Sequence, residues 1–194
     1  MWIQKLYALA NIIYSNFIKT KFFKFGNHSR INFPATIYNP GAVEIGNHVR
    51  IGEHAMINGY INNNGPNLII GDGTSIGRFF QVNSYLKVEI KENVLIADRV
   101  FISDVDHQFR NPEIAIIKQG VTEPKPTVIK QGAWIGIGAV ITPGVSIGKN
   151  AVVGANAVVT KDVPDNHIAL GVPSRMKPIK EFTKTNPLNK GAQH

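Results

Sequence analysis

A histidine with aspartates one and three places before it stands in the run Ser103-Asp104-Val105-Asp106-His107. Imidazole titrates near neutral pH, so His107 can take a proton from a hydroxyl or an amine, and a carboxylate beside it can fix its tautomer. Asp104 and Asp106 are the candidates for that support or for binding an acceptor. The same three residues could approach a metal ion. They supply only three close ligands with no evident outer shell, so no metal is expected. The chain has no cysteine, which removes disulfides, thiolate ligands and a cysteine nucleophile. His28, His48, His54, His167 and His194 do not converge in the sequence.

What must position His107 is a repeat. Isoleucine or valine recurs every sixth residue at Ile129, Ile135, Ile141, Ile147, Val153 and Val159, and a small or aliphatic residue follows each by four places, from Ala133 to Val163. Neither a helix nor an alternating strand has that period. A parallel β-helix does: each hexad gives one short strand and one corner, and three close a triangular coil. The fold class is therefore all-β, a parallel β-helix of five to six coils. The aliphatics group as Ile45/Ile51/Ile57, Ile70/Ile76/Val82, Ile90/Ile96/Ile102, Ile129/Ile135/Ile141 and Ile147/Val153/Val159, with Phe25/Ile31/Ile37 as an earlier coil. Glycine follows the aliphatic at Gly46, Gly52, Gly71, Gly77, Gly136, Gly148 and Gly154, where a tight corner would use positive φ.

Every break in the period follows the third member of a triplet, so all excursions should leave from one edge of the prism, and such an edge is often the binding face. Asn83 after Val82 and Ser103 after Ile102 then fall about 5 Å apart, one strand spacing. Asn83 becomes a candidate to hold an acceptor beside His107, although asparagine is also an ordinary corner residue. Residues 25–163 form the β-helix with the longest excursion at 103–128, and 164–194 form a cap and tail. Loops 58–69 and 103–128 would shape an acceptor pocket.

The formal charge is +8 at pH 7. That sign suits nucleic acid, a membrane surface or a small polyanion. No helix-turn-helix, RNA-binding or zinc-finger pattern accompanies it, so no nucleic-acid partner is expected. Residues 1–24 follow another rule, an amphipathic helix. Gln4, Ala8, Asn11, Ser15 and Lys19 trace a narrow polar strip, while Trp2, Ile3, Leu6, Leu9, Ile13 and Phe17 fill the rest. Lys5, Asn11 and Asn16 interrupt it too often for a membrane span, and there is no signal-peptide cleavage site. A cytoplasmic protein is expected, with the helix capping the open end of the solenoid or lying peripherally on a membrane beside Lys19, Lys21 and Lys24.

Four pieces of the C-terminal half carry a resemblance: Trp134-Ile135-Gly136, Thr142-Pro143-Gly144, Val159-Thr160-Lys161-Asp162 and Gly171-Val172-Pro173-Ser174-Arg175. Residues 128–178 resemble the signature of hexapeptide-repeat acetyltransferases. The branch is the maltose/galactoside O-acetyltransferase-like one, which includes O-antigen and capsule sugar acetyltransferases. The resemblance spans about residues 40–180 and leaves out the N-terminal helix. It implies a left-handed coil, acetyl-CoA as co-substrate, no metal, and a homotrimer with sites between subunits. It also implies that His107 is the catalytic base and Asn83 an acceptor-site residue. Trp134 would lie beside the pantetheine arm, with a backbone N–H near Ile137 steadying the oxyanion. Ala155, Thr160 and Lys161 would line the coenzyme groove, and Arg175 and Lys177 the nucleotide phosphates. Ser174 and Ile137 depart from the family's more usual residues. The implied reaction is direct acetyl transfer to a sugar hydroxyl in surface polysaccharide biosynthesis. The alternatives are N-acetylation of a nucleotide-activated amino sugar, or a non-catalytic scaffold.

Overall fold

In a computed structural model of the chain, which describes residues 2–61 and 65–181, the hexads become strands of two to four residues whose aliphatic side chains point inward. The strands form three parallel walls. Ile45, Ile70, Ile90, Ile129 and Ile147 stack in register on the first wall. Ile51, Ile76, Ile96, Ile135 and Val153 stack on the second. Ile57, Val82, Ile102, Ile141 and Val159 stack on the third. Phe25, Ile31 and Ile37 pair with Ile45, Ile51 and Ile57, so the earlier coil exists and there are six complete ones. Each buried isoleucine contributes about 1.5–3 kcal/mol, and the three columns merge into one core. Beyond Val159 the winding continues: Val163 bridges Ile147, and His167–Leu170 adds to the second wall. Arg175–Pro178 then turns back antiparallel and ends that sheet. The tail at 182–194 lies outside the described residues.

The glycines after the aliphatics serve a different purpose from the one their position suggests. None of the seven has positive φ; the left-handed residue comes two places later, as at His48, His54, Phe79, Gly138, Asn150 and Asn156. Glycine is required because neighbouring coils touch there. A Cβ on Gly136 would stand 2.7 Å from the Ala155 amide nitrogen, and one on Gly71 2.6 Å from that of Glu92. Sequence spacing locates the corner but does not tell crowding from dihedral strain.

The N-terminal helix, α1 (Trp2–Ile18), sits on the first coil with Asn11 and Ser15 of its polar strip inward beside Ile18, whereas Lys19 lies past the helix end and is exposed. Asn11 Oδ1 accepts the Phe33 amide at 2.9 Å, and Ser15 Oγ accepts the Ile31 amide and donates to the Ile31 carbonyl, both at 3.0 Å. These are the groups the open edge of the second wall would otherwise leave unpaired. Tyr7 Oη adds a 2.7 Å bond to Glu53. Burial pushes the Glu53 carboxyl up, but hydrogen bonds from Tyr7, its own peptide and Asn32, with the Arg78 charge, outweigh that and hold it below the usual range. The side chain of Gln4 lies outside the described ones. No described helix is long and apolar enough to cross a membrane.

Replacing Gly136 with alanine should destabilise the fold by about 1–3 kcal/mol, because the clash is with backbone. Chemical denaturation would measure the loss, and an unchanged midpoint would refute the crowding argument.

Candidate active site

All the long excursions leave from the third wall, as the period requires, at Met56–Gly59, Gln81–Ser84 and Phe101–Ser103. Asn58, Asn83 and Ser103 therefore fall in one column, with Asn83 paired to both neighbours. The longest excursion folds back on itself. His107 bridges Val121 in antiparallel fashion, Gln108 donates to the Gly120 carbonyl at 3.0 Å, and Thr122 donates to the Asp106 carbonyl at 2.7 Å. This narrow, paired root suspends His107 over the outer face of the third wall.

Two hollows meet at that point. One, of about 330 Å³, is lined by Asn83, Asp106, His107, Val121, Val140 and Thr142 among others. The other, of about 180 Å³, shares Asn83, His107 and Val121 and adds Asn58, Tyr60 and Tyr85. An amide and an imidazole thus border both hollows. Of the loop 58–69, residues 62–64 lie outside the described ones.

The two aspartates do not act as the sequence suggests. Asp104 is fully buried, and its carboxylate accepts the amides of Tyr85, Leu86 and Lys87 at 2.8, 2.7 and 2.6 Å. It ties the loop after Asn83 to the root of the His107 loop, and it is closed to any acceptor. Asp106 Oδ1 accepts the His107 main-chain amide at 2.9 Å. Neither carboxylate reaches the imidazole, which has no hydrogen-bond partner among the described residues. The reason is general: a short acidic side chain near unpaired loop amides is captured by them.

Other buried polar side chains lie under the same edge. Asn67 Nδ2 donates to the carbonyls of Tyr60, Ser84 and Tyr85, Ser84 Oγ donates to the Asn67 carbonyl, and Thr127 Oγ1 donates to that of Ser103. They fix Tyr60 and Tyr85, whose rings lie 4.0 Å apart and tilted by 30°. A hydrogen bond with Tyr60 raises the Tyr85 phenol above its ordinary pKa. The pair makes an aromatic floor beside Asn58 and Asn83. Sequence reasoning missed it, although each tyrosine stands three places after a third-wall aliphatic, Ile57 and Val82, so the register carried the signal.

The candidate coenzyme residues divide between two walls. Trp134 lies half-exposed on the second wall, and the register through Val152 and Ile168 brings Lys177 into its column; Arg175 is on the same strand as Lys177. Ile137 and Ala155 are exposed one coil apart at the corner between second and third walls, joined by the Asn156 amide donating to the Ile137 carbonyl at 2.8 Å. On the same corner Asp98 accepts the Arg78 amide at 2.8 Å. Ala155 offers Ile137 no such acceptor, and the Ile137 amide has no partner among the described residues. Thr160 and Lys161 are exposed just past the last strand of the third wall. One chain therefore does not gather all seven around His107. Among the described residues, no group of three or more His, Asp or Glu is placed to hold a metal.

Comparison with known proteins agrees with this architecture. Residues 126–161 match the bacterial transferase hexapeptide (six repeats) family. A Mycobacterium tuberculosis protein named probable acetyltransferase Rv3034c is 35% identical over 109 residues, which is 56% of this chain and 36% of that relative; the chain thus spans about a third of the relative's length. A mutant of AntD, an N-acyltransferase from Bacillus cereus solved with dTDP and coenzyme A, superposes with TM-score 0.72 at 26% identity, covering 88% of this chain and 96% of that one. A galactoside acetyltransferase in complex with coenzyme A superposes at 0.63 with 28% identity, covering 89% and 72%. The hexapeptide-repeat acetyltransferase VCA0836 of Vibrio cholerae, solved with acetyl coenzyme A, gives 0.60 at 25% identity over 81% and 71%. In its repeat and its fold the chain is thus similar to the hexapeptide-repeat, left-handed β-helix transferases.

Asp104→Ala would orphan three amides and should cost about 2–4 kcal/mol of stability, lowering the denaturation midpoint. A midpoint equal to that of the unaltered protein would show that the loops do not depend on this carboxylate.

Proposed function

We propose that this protein is an acetyl-CoA-dependent acyltransferase that acetylates a sugar hydroxyl, with His107 as general base. The observation that carries the reading is that Asn83 and His107 both line two adjoining hollows, one of which is also lined by Tyr60 and Tyr85. Paired tyrosine rings beside amides suit a carbohydrate ring, which presents apolar C–H faces and polar edges. His107 Nε2 or Nδ1 takes the proton of the acceptor hydroxyl as its oxygen attacks the thioester carbonyl. The C–S bond then breaks, and the imidazolium returns the proton to the departing thiolate. The free Ile137 amide supports a role as oxyanion donor. The resemblance supports an acceptor from surface polysaccharide biosynthesis, met on the cytoplasmic side.

The division of coenzyme residues between two walls supports a homotrimer. The walls of a triangular prism face different directions, so a single chain cannot present His107 and Trp134 to one ligand unless the ligand rounds a corner. A second subunit that offers its own wall across the cleft removes the difficulty. On this reading Trp134, Ile137, Ala155, Thr160 and Lys161 of the chain line a shared groove, with Arg175 and Lys177 toward the nucleotide phosphates. Trp134 and Ile137 leave 50% and 44% of their surface exposed, which is apolar area suited to cover by a coenzyme or a neighbour.

A second reading, transfer to an amino group, is favoured by the likeness to AntD over almost the whole of that chain. Coenzyme A release measured with hydroxyl sugars and amino sugars in parallel separates the two; turnover confined to amino sugars would overturn O-acetylation. His107→Ala should lower turnover on the order of 10²–10⁴-fold with unchanged thermal unfolding. Near-normal transfer by that variant removes the histidine from the chemistry. Light scattering should give three times the chain mass of 21.3 kDa, and a monomer would contradict the shared groove.

A further inference from the structure

The helix that closes the solenoid is amphipathic in the reverse sense for a globular protein. Its inward face carries Asn11 and Ser15, each only 3% exposed and bonded to the open strand edge. Its outward face carries Trp2, Leu6, Leu9, Ile13 and Phe17, with exposures from 53% to 80%. At 100° per residue these five fall within about 80° of one another, opposite Asn11. The inversion has a physical cause, because the edge of a parallel wall needs donors and acceptors and only the polar strip supplies them. Its consequence is an apolar ridge along 17 residues that nothing among the described residues covers.

Charge surrounds that ridge on one side. The first 43 residues hold five Lys or Arg and no Asp or Glu, and so supply five of the net +8. Along the Ile12 and Asn16 flank of α1 opens a cavity of about 600 Å³, into which His28, Arg30, His48 and Arg50 project. Arg30 and Arg50 are paired residues on adjacent strands, and the rings of His28 and His48 stack at 5.0 Å. Neither arginine meets a carboxylate among the described residues. Two arginines whose backbones lie about one strand spacing apart and whose side chains line one cavity are better accommodated once an anion lies between them.

We propose that α1 and this basic cavity form a docking face for an anionic lipid surface, the ridge lying in the plane of the membrane interface and the cavity receiving a lipid phosphate. A helix with an apolar ridge and a basic flank rests in that position, and each Lys or Arg near an anionic leaflet strengthens the contact. A soluble polyanion would fill the cavity and leave the ridge in water. A second copy docked face to face would set Lys5, Lys19 and Lys21 against their own counterparts, with no acidic residue before Glu44 to offset them. Asn83 belongs to the third coil, so the cleft with His107 would sit about 10 Å above the helix-capped coil, within reach of a glycan held at the same surface.

Flotation of the full chain with vesicles tests this without any acyl donor, so its outcome is independent of the acetyl-transfer reading. The protein should float with vesicles of phosphatidylcholine and phosphatidylglycerol at least tenfold more than with phosphatidylcholine alone. Free inorganic phosphate at millimolar level should not release it. Leu6→Glu with Ile13→Glu, both on exposed positions, should lower flotation at least tenfold with an unchanged melting curve. Arg30→Glu with Arg50→Glu should abolish the preference for phosphatidylglycerol. Absence of flotation, flotation indifferent to the Leu6 and Ile13 changes, or full release by phosphate overturns the proposal. So does a smaller particle in light scattering of the Leu6/Ile13 variant, which would make the ridge a contact between copies.

Discussion

The rest of the structure depends on how closely successive coils approach. Parallel strands stacked in register, with isoleucine or valine above isoleucine on every wall, leave each peptide group one neighbour above and one below. The hydrogen bonds set that spacing, and the aliphatic columns fill the space it encloses. Glycine at the corners is the direct result, since a Cβ there would meet the next coil's main chain. A solenoid built this way has little freedom within a coil and much freedom where a coil may be left and re-entered.

That freedom is spent on one edge. Because every excursion begins at the end of the third wall, loops distant in sequence emerge side by side, and residues such as Asn83 and His107 become neighbours without any special device. The edge must nevertheless be held. Asn67, Ser84, Ser103, Asp104 and Thr127 are buried polar residues beneath it, and their hydrogen bonds replace the strand pairing that the excursions interrupt. The loop carrying His107 is therefore anchored at its root by Asp104 and paired across at Val121, which gives a histidine on a loop a defined place.

The two ends of the solenoid meet the opposite problem, an open row of strand edges. At the C-terminal end the chain supplies its own antiparallel strand, Arg175–Pro178. At the N-terminal end it uses side chains on a helix, and choosing polar ones for that task turns Trp2, Leu6, Leu9, Ile13 and Phe17 outward, while Ile18 stays in the core. Edge protection and surface chemistry are thus linked at α1: the same inversion that satisfies Ile31 and Phe33 creates the apolar ridge.

The period of six was legible without coordinates. Periodicity is a property of burial, and burial of a β-branched side chain is written in residue type. From it followed the coils, their register, the common edge for the loops and the nearness of Asn83 to Ser103. Tyr60 and Tyr85 could have been found by carrying the same register three places further. Other features needed the tertiary structure. Whether Asp104 serves an imidazole or three main-chain amides depends on which donors lie within 3 Å, and those donors come from residues 85–87 on another coil. Whether glycine relieves a dihedral angle or a contact depends on the neighbouring coil, which spacing along one chain does not describe. And α1 reads as amphipathic from its residues, but only packing against the first coil decided that its polar side would be the buried one. Local pattern reports what each residue can satisfy; the fold decides which unsatisfied groups come within its reach.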